Sequence, residues 1–407
     1  MSQFSKALPT THRTTRDWLP PTHSTPTLYM IIYIYIYLLC VVAADNVLPA
    51  TSPLLLWTGR TRRDSTAGSV SFDWLGTHAT FTVANATSVW ATLNSTFWAE
   101  PPPHFGRSLQ QSTWPKFGVY RVHIDGRRVS PPGHGGIVVL PGQAEYTLAT
   151  GLDPAAPHTV ALWYTTDAVD NSWPDLDAGR GCFQTVLGVR TDGAFAPPPP
   201  PRARRMAILG DSITSGANMY PPCNNATTCD ASESYASLLC EGFLLNCTLL
   251  TASSKGLLHN CCDKLPVTVP LLANRTFVQD NSSTWHWDAE PLDAIFVNLG
   301  TNDGTQVPPA EFTAGYVDLL LRLASHGTAR NVPIFAAWGP LGDRFAPWVA
   351  AAAASVNSLG LNVTLIDLMG CPIDGCGHPG VLGHPCMAAA AAPIIKNATG
   401  WEWKGHL

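Results

Sequence analysis

The stretch Met206–Gly216 reads MAILGDSITSG, a short apolar run followed directly by a Gly-Asp-Ser turn. This pattern is typical of a buried parallel strand that leads into a helix. Ser212 would then lie at the strand-to-helix junction, where free backbone N–H groups face an incoming anion. The residues do not form a G-x-S-x-G nucleophile elbow, because Thr214 occupies its last glycine position. On their own they fit either a nucleophilic serine or an Asp/Ser helix cap.

Apolar runs alternate with helix-like segments from Met206 onward. The predicted strands are Met206–Leu209, Thr248–Ala252, Ala294–Leu299, Ile334–Trp338 and Val363–Leu368. The predicted helices are Tyr235–Leu245, Pro309–Ala324, Phe345–Leu359 and His384–Ile395. This alternation predicts an α/β three-layer domain, a parallel sheet with helices on both faces. Ligands bind at the carboxyl ends of such strands, so the residues just after each run are the candidates for chemistry.

Three further strand ends carry candidate groups. Gly256, in Ser-Ser-Lys-Gly, can present a backbone N–H into a cleft, although it also fits a tight turn. Asn302, in Gly-Thr-Asn-Asp, can donate to a developing oxyanion, although it also fits an Asx turn. His378 follows the last predicted strand, and an ordinary histidine pKa of about 6.5 suits a general base. Because these signals occur in order at separate strand ends, they favour one catalytic site with Ser212.

The chain from about Leu54 to Ala194 reads instead as short β segments separated by Gly, Pro, Asn or Asp. The segments are Ser69–Leu75, Ala79–Ala84, Val89–Leu93, Gly118–Ile124, Gly136–Leu140, Glu145–Ala149, Val160–Thr165 and Phe183–Thr191. Many short strands predict a β-sandwich of the jelly-roll type over residues 46–195. The run Ala196–Arg205 (APPPPPRARR) cannot continue a sheet, so it predicts a Pro-rich linker at 196–205 and a second domain at 206–400.

The composition excludes some classes of function. The 407 residues suffice for two domains, and only 13% are charged, where about 25% is usual. A net charge of −5 without long Lys/Arg runs argues against a nucleic-acid-binding protein, whose affinity depends on neutralising phosphates. Low charge combined with 14 Trp, 14 Phe and 10 Tyr argues against disorder. No nucleic-acid partner and no cofactor are predicted.

The first 44 residues have the organisation of a secretory signal. Leu28–Ala44 (LYMIIYIYIYLLCVVAA) is uncharged, and Lys6, Arg13 and Arg16 precede it. We therefore expect entry into the secretory pathway, cleavage before Asp45 and a secreted or extracellular protein. The apolar stretch is near the lower limit for a bilayer span, so an uncleaved anchor giving a type II membrane protein is the alternative. Its Ile/Tyr alternation also suits a buried strand.

The cysteines and sequons agree with a secretory address. One of the 11 cysteines lies in the leader, and the even remainder suits disulfides in an oxidising compartment. Cys223 and Cys229 fit a short disulfide loop, although the sequence does not fix the connectivity. Glycans are predicted at the N-x-S/T sequons of Asn85, Asn94, Asn225, Asn246, Asn274, Asn281, Asn362 and Asn397.

A zinc site is the alternative interpretation of the C-terminal cysteines and histidines. The candidate ligands are Cys371, Cys376, His378, His384 and Cys386. Their spacing fits none of the usual structural zinc pairs, and an oxidising compartment favours disulfides, so no metal is predicted.

The chain resembles the SGNH hydrolases, the GDS-type esterases. The resemblance covers roughly residues 205–396 and rests on Ser212 in GDSITSG, Gly256 in SKG, Asn302 in NLGTND and His378 in HPGVLGH. It is closer to one branch, the carbohydrate esterase family 2 acetyl esterases, which join an N-terminal jelly roll to a C-terminal SGNH domain. The upstream strings WTGR and SFDW, at Trp57–Arg60 and Ser71–Trp74, are also similar to that branch. The resemblance implies a flavodoxin-like parallel sheet and a serine esterase.

The mechanism that the resemblance implies is acyl transfer through an acyl-serine. His378 would take the proton from Ser212, while the N–H groups of Ser212 and Gly256 and the Asn302 amide form the oxyanion hole. The common family pattern places Asp three residues before the histidine, where this chain has Gly375. Either Asp374 reaches the imidazole and completes a triad, or a main-chain carbonyl orients the ring. His384 is the reserve candidate for the base.

The expected substrate is an acetylated polysaccharide or another small acyl ester. It follows from the resemblance and from tryptophans that can stack on sugars, namely Trp285, Trp287 and Trp338; only Trp338 lies at a predicted strand end. Two alternatives stay open. One is a lipid or thioester acyl hydrolase of the same class, and the other is an inactive domain that binds glycans.

Overall fold

The first part of the fold consists of β strands, several of which alternate buried and half-buried side chains. The computed structural model describes residues 46–96, 118–129, 135–167, 183–223, 226–262, 266–304, 307–327 and 332–405. The strands before the proline run are β1 Val47–Pro49, β2 Leu56–Thr58, β3 Arg62–Asp64, β4 Ser69–Phe72, β5 His78–Ala84, β6 Ser88–Ser95, β7 Gly118–Ile124, β8 Arg127–Arg128, β9 Ile137–Val139, β10 Gly142–Thr150, β11 His158–Tyr164, β12 Gln184–Thr191 and β13 Ala194–Ala196. The leader predicted at 1–44 and the sequon at Asn225 lie outside the described residues.

These strands form two antiparallel sheets. One has the order β10-β6-β12-β4-β3, with β1 paired to β12, and the other has the order β13-β5-β11-β7-β8, with β2 on β5 and β9 on β7. Buried side chains of both sheets, such as Phe72, Phe81 and Tyr120, belong to one core. Each of the eight predicted β segments overlaps an observed strand. The jelly-roll topology stays a prediction.

The second part of the fold is a parallel sheet covered by helices. Its strands are β14 Arg204–Gly210, β15 Leu245–Thr251, β16 Ala294–Asn298, β17 Pro333–Trp338 and β18 Asn362–Asp367. The helices are α1 Ser212–Ser215, α2 Tyr235–Gly242, α3 Val269–Leu272, α4 Pro309–Ala324, α5 Ala346–Ser358 and α6 Gly383–Thr399. Buried residues of α2 and α6 pack on one face of the sheet and those of α4 and α5 on the other. The predicted α/β layering is confirmed.

The order of the parallel strands locates the site. The sheet reads β15-β14-β16-β17-β18, so the chain starts in β14 and then adds strands on both sides of it. In such a sheet a crevice opens at the carboxyl ends, beside the strand where the order reverses. Ser212 follows β14 and Asn302 follows β16, and these strands are neighbours. The topology therefore places both residues at the crevice.

The predicted boundary between the helix at Tyr235–Leu245 and the strand that follows it is wrong. The helix predicted at Tyr235–Leu245 ends at Gly242, and β15 begins at Leu245, before the predicted strand start. The reason is that Leu245 and Cys247 are buried while Asn246 is half-buried, which is the two-residue period of an edge strand. Because the disulfide Cys240–Cys247 joins the helix to this strand, the turn between them is tight.

Asp45–Leu407 form one compact unit, and buried charges connect its two sheet systems. Arg60 is 0% exposed and donates from Nη1 to the carbonyl oxygens of Ala273 (2.6 Å) and Arg275 (2.5 Å). Its guanidinium lies 4.7 Å from the ring centres of both Trp285 and Trp287. These two tryptophans, considered above as sugar-stacking residues, therefore pack on a buried cation. The division into two domains at 196–205 stays a prediction.

Asp73 binds the backbone of segment 273–279, which also bonds to Arg60, at a second point. Its carboxylate, which is 0% exposed, accepts the backbone N–H groups of Val278 (2.9 Å) and Gln279 (3.0 Å). A buried carboxylate is costly unless hydrogen bonds satisfy it, so these contacts fix segment 273–279 against the β sheets. Among the described residues, no helix is both long and apolar enough to cross a membrane.

Replacing Asp73 tests this contact. Asp73→Ala removes the acceptor of two buried N–H groups, so we expect the free energy of unfolding to fall by about 2–4 kcal/mol. Asp64→Ala is the matched control, because Asp64 also accepts two backbone N–H groups, from Thr66 and Ala67, but at an exposed turn. Urea denaturation should show a loss below about 1 kcal/mol for the control. Equal losses in the two variants would contradict the role of burial.

Candidate active site

Ser212 and His378 form a hydrogen-bonded pair. The Ser212 Oγ lies 2.8 Å from the His378 Nε2. Ser212 begins the single-turn helix α1, which Asp211 caps by accepting the N–H of Ile213 (3.0 Å) and which Gly216 ends with a left-handed φ of 70°. With a proton on Nδ1, Nε2 accepts the serine proton, which is the arrangement of a general base and its nucleophile.

A main-chain carbonyl faces the other ring nitrogen. The Nδ1 of His378 lies 3.4 Å from the carbonyl oxygen of Cys376. The disulfide Cys223–Cys376 and the hydrogen bond from the Cys376 N–H to the carbonyl of Asn218 (3.0 Å) tie this loop to the chain that follows α1. His378 is thus oriented by a loop that is tied to the chain just after Ser212 and α1.

The structure does not bring Asp374 to the imidazole. Its carboxylate instead accepts the backbone N–H groups of Gly380 (2.7 Å), Leu382 (2.8 Å) and Gly383 (2.9 Å). Partial burial works to raise the pKa of Asp374, but these donors lower it below its usual range. The expected triad contact between Asp374 and His378 is therefore not formed, because the carboxylate oxygens are occupied in shaping the histidine loop.

The two candidate oxyanion residues outside α1 lie together. The Asn302 Nδ2 donates to the carbonyl of Lys255 (3.0 Å), next to Gly256. An amide NH₂ has two donors, so this bond leaves one for a substrate oxygen. The Gly256 N–H donates weakly to the Asn260 Oδ1 (3.3 Å). A Cβ at Gly256 would lie 2.0 Å from the carbonyl oxygen of His259, so the loop accepts only glycine there.

Asp303 has a positioning role that the motif did not reveal. Its carboxylate accepts the N–H groups of Leu257 (2.8 Å), Leu258 (2.6 Å) and His259 (3.0 Å). Burial raises the pKa of this carboxyl, and the three backbone donors oppose the rise. Asp303 thus connects the Asn302 loop to the Gly256 loop, and its place beside Asn302 was the only sequence signal.

The electrostatics of the site favour a neutral His378. Burial lowers the pKa of its imidazole, while the Cys376 carbonyl works in the opposite direction. The reserve base, His384, is 1% exposed, accepts the N–H of Tyr235 at Nδ1 (3.2 Å), and burial lowers its pKa to about 3. His384 is therefore a packed residue of α6. Trp338 is half-buried at the end of β17, on the same sheet edge as the site.

The cysteines of the zinc alternative are oxidised. Cys371 is bonded to Cys386, and Cys376 to Cys223. The Cys223–Cys229 loop is therefore wrong, because the fold places Cys223 against the histidine loop. In the part of the chain that the structure describes, no group of three or more His, Cys, Asp or Glu is arranged to hold a metal ion.

The predicted glycan sites differ in exposure. Asn94 and Asn246 are half-buried in strands. The exposed sequon residues are Asn85, Asn274, Asn281, Asn362 and Asn397. Glycosylation stays a prediction for all of them.

Solved structures share this fold. A family two carbohydrate esterase from Clostridium thermocellum, in complex with cellohexaose, matches with a TM-score of 0.70 and 20% identity, covering 85% of this chain and 99% of its own. A family two carbohydrate esterase from Cellvibrio japonicus matches with a TM-score of 0.70 and 18% identity, covering 87% and 98%. An acetyl xylan esterase from Butyrivibrio proteoclasticus matches with a TM-score of 0.70 and 17% identity, covering 86% and 96%. No protein-family model and no curated protein matches the chain. The chain therefore has the fold of the family 2 carbohydrate esterases.

The lowered pKa of His378 predicts the pH dependence of ester hydrolysis. The base must be neutral, so kcat/KM should rise with pH and level off, with a midpoint below the ordinary histidine pKa of about 6.5. A pH series of kcat/KM on a soluble acetyl ester measures this midpoint. A midpoint above 6.5 would contradict the dominance of burial over the pKa of His378 and would favour a carboxylate beside the imidazole.

Asp374→Asn separates loop shaping from a triad role. A triad aspartate replaced by asparagine costs about 10,000-fold in kcat, whereas a loosened loop should cost about 10-fold or less. We expect the smaller loss, together with a lower midpoint of thermal unfolding, because three backbone donors lose a charged acceptor. Asp367→Asn is the control, since Asp367 is exposed and accepts one backbone N–H, from Met369. A loss of thousands-fold in Asp374→Asn alone would restore the triad.

Proposed function

We propose that the protein is a serine esterase that removes acetyl groups from polysaccharides through an acyl-serine intermediate. The observation that carries the proposal is the 2.8 Å contact between the Ser212 Oγ and the His378 Nε2 at the switch point of the parallel sheet. Two hydrogen-bonded groups of this kind, beside backbone and amide donors, can attack an ester carbonyl and stabilise the resulting oxyanion.

The first half of the reaction transfers the acyl group to the enzyme. His378 Nε2 takes the hydroxyl proton as the Ser212 Oγ bonds to the ester carbonyl carbon, and the carbonyl oxygen becomes an oxyanion. The Ser212 N–H and the second donor of the Asn302 amide stabilise that charge, and the Gly256 N–H joins them by exchanging its 3.3 Å contact with the Asn260 Oδ1 for the oxyanion. The oxyanion then collapses, the bond to the sugar oxygen breaks, and the imidazolium gives its proton to that oxygen, which leaves as a hydroxyl group.

The second half returns the enzyme to its starting state. His378 takes a proton from water, whose oxygen attacks the acyl carbon, and the same donors stabilise the second oxyanion. Collapse releases acetate and restores the Ser212 hydroxyl, which receives the proton from His378. In this proposal Ser212 and His378 act as a dyad. The Cys376 carbonyl selects the tautomer of His378 by accepting a hydrogen bond from the Nδ1–H group.

The substrate class rests on the similar structures and on the sheet edge. Carbohydrate esterases, including an acetyl xylan esterase, share the fold over most of the chain. Trp338, at the end of β17, offers an aromatic face for a sugar ring. The apolar leader, the sequons and the four disulfides among the described residues support secretion of the mature chain. We also propose that the β sheets form a jelly roll and that 206–400 is the esterase domain.

The test measures acetate release from acetylated xylan and hydrolysis of acyl esters from acetyl to palmitoyl. Ser212→Ala should lower turnover by about 1000-fold or more and abolish labelling by a fluorophosphonate probe. Ser358→Ala, at an exposed hydroxyl at the end of α5, is the control and should keep full activity.

Each other outcome points away from the proposal. Equal activity of Ser212→Ala and the parent protein would exclude the acyl-serine mechanism. A preference for palmitoyl over acetyl esters would favour a lipid acyl hydrolase. A parent protein that the probe does not label, and that hydrolyses none of the esters, would favour a binding module.

A further inference from the structure

We infer that Asp167, from the β sheets, is a positioning residue that holds the nucleophile helix and the oxyanion loop at a fixed separation. The inference rests on the proposed function, because it concerns the alignment of the same site. Asp167 is 1% exposed, and nothing in the motifs around Ser212 points to it.

Asp167 contacts both catalytic segments with one oxygen. Its Oδ2 lies 3.0 Å from the Ser215 Oγ, and it accepts the Ser253 N–H (2.9 Å) and the Ser253 hydroxyl (2.8 Å). Ser215 ends α1, whose first residue is Ser212. Ser253 belongs to the loop after β15 that presents Gly256. A single carboxylate thus joins the segment that carries the nucleophile to the segment that carries an oxyanion donor.

The position of Asp167 is set by the β sheets. It follows β11, which pairs with β7 from Val160–Ile124 to Tyr164–Tyr120. Thr165 extends this pairing through its N–H to the Val119 carbonyl (2.9 Å), and the Thr166 Oγ1 accepts the Val119 N–H (2.7 Å). Both threonines are 0% exposed, so the backbone that leads to Asp167 is fixed within the core.

The chemistry of these contacts makes them strong. Hydrogen bonds to an ionised carboxylate are shorter and roughly twice as strong as neutral ones. Burial removes competing water and strengthens them further. The Ser215 hydroxyl also lies 3.1 Å from the Asp211 carbonyl and 3.1 Å from the Thr251 Oγ1. Both are neutral acceptors, so the carboxylate is the better partner for its single proton.

The consequence for catalysis follows from geometry. Ser212 follows β14 and the Gly256 loop follows β15, and the pairing of these two strands ends at Gly210 and Thr251, with one more backbone bond from the Ala252 N–H to the Gly210 carbonyl (3.3 Å). An oxyanion donor must lie within a few tenths of an ångström of its place, and a misplacement of about 1 Å can cost about 100-fold in rate. The Ser215 Oγ also lies 3.1 Å from the Thr251 Oγ1 at the end of β15. In contrast to Thr251, Asp167 reaches past the strand end to Ser253 in the Gly256 loop, and the β sheets take part in transition-state stabilisation through it.

The test is Asp167→Asn in the full chain. The amide keeps the shape of the carboxylate but removes its charge, so its oxygen is a weaker acceptor for the three donors that meet at Oδ2. We expect kcat on acetyl esters to fall about 10- to 100-fold while KM changes less than about 3-fold, because alignment of the transition state is lost and substrate binding is kept. Labelling of Ser212 by a fluorophosphonate should slow by a similar factor.

Asp125→Asn is the matched control. Asp125 is a carboxylate of the same β sheets that bonds to His158 (2.7 Å) and the Thr159 N–H (2.8 Å) but is half exposed and contacts neither catalytic segment. Its kcat and labelling rate should equal those of the parent protein. The pH midpoint of kcat/KM should stay unchanged in Asp167→Asn, since His378 keeps its surroundings.

A second variant guards against a folding defect. Ser253→Ala removes one of the three contacts and should lower kcat by about 3- to 10-fold. The double variant Asp167→Asn/Ser253→Ala should lose less kcat than the product of the two single fold-losses, because both changes break the same contact. If Asp167→Asn does not fold, Ser253→Ala and Ser215→Ala provide the same comparison of kcat with KM.

The outcomes separate this inference from the proposed function. Parent-like kcat and labelling in folded Asp167→Asn, or in both serine variants, would overturn the positioning role alone. Labelling of the parent protein without acetyl ester hydrolysis would overturn the acetyl esterase, and the labelling rates would still test Asp167. A parent protein whose Ser212 does not react at all would overturn both.

Discussion

Buried charges between the β sheets and the parallel sheet are the constraint on which the rest of the structure depends. Arg60, Asp73 and Asp167 are each at most 1% exposed, and their partners lie beyond the proline run. Arg121 and Asp230, both with fully buried side chains, lie 3.5 Å apart across the same boundary. A buried charge is expensive unless it is paired and hydrogen-bonded, so each of these groups is tolerated only while its partners from the other sheet system stay in place. These contacts join the two sheet systems in the region that supports the site.

The parallel sheet contributes position rather than chemistry. Its strands need only be apolar enough to be buried between helices, and the reactive groups lie on loops at the carboxyl edge. Loops carry more conformational freedom than strands, so each one here has a separate anchor. Asp303 fixes the Gly256 loop, Asp374 fixes the histidine loop, and the disulfide Cys223–Cys376 joins that loop to the chain after α1. In each case the anchor is a local carboxylate or a covalent bond beside a reactive residue.

Local sequence patterns predicted what depends on local physics. The strand ends that carry Ser212 and Asn302 could be found because apolar runs and turn residues are visible in the chain, and α4 has the bounds that its periodicity predicted. Contacts between distant segments leave no such signal. In the sequence Asp167 is an aspartate after a β segment, and its contacts follow only from the pairing of β11 with β7. The partner of His378 is a backbone carbonyl, which any residue can supply. The nearest acid, Asp374, was the natural candidate for a triad, but its oxygens bind the loop backbone.

In the proposed mechanism, a dyad oriented by a carbonyl changes where stabilisation of the transition state must come from. A carboxylate would stabilise the imidazolium by charge, whereas the Cys376 carbonyl offers only a neutral dipole beside a ring whose pKa burial lowers. The imidazolium is therefore less favoured, and more of the stabilisation must come from the donors that face the oxyanion. Those donors act only when Gly256, Asn302 and Ser212 are held in register. In that mechanism a neutral partner for the histidine makes the reaction depend more on the buried carboxylates that align the loops. The proposed chemistry of the dyad is thereby connected to the β sheets that supply Asp167.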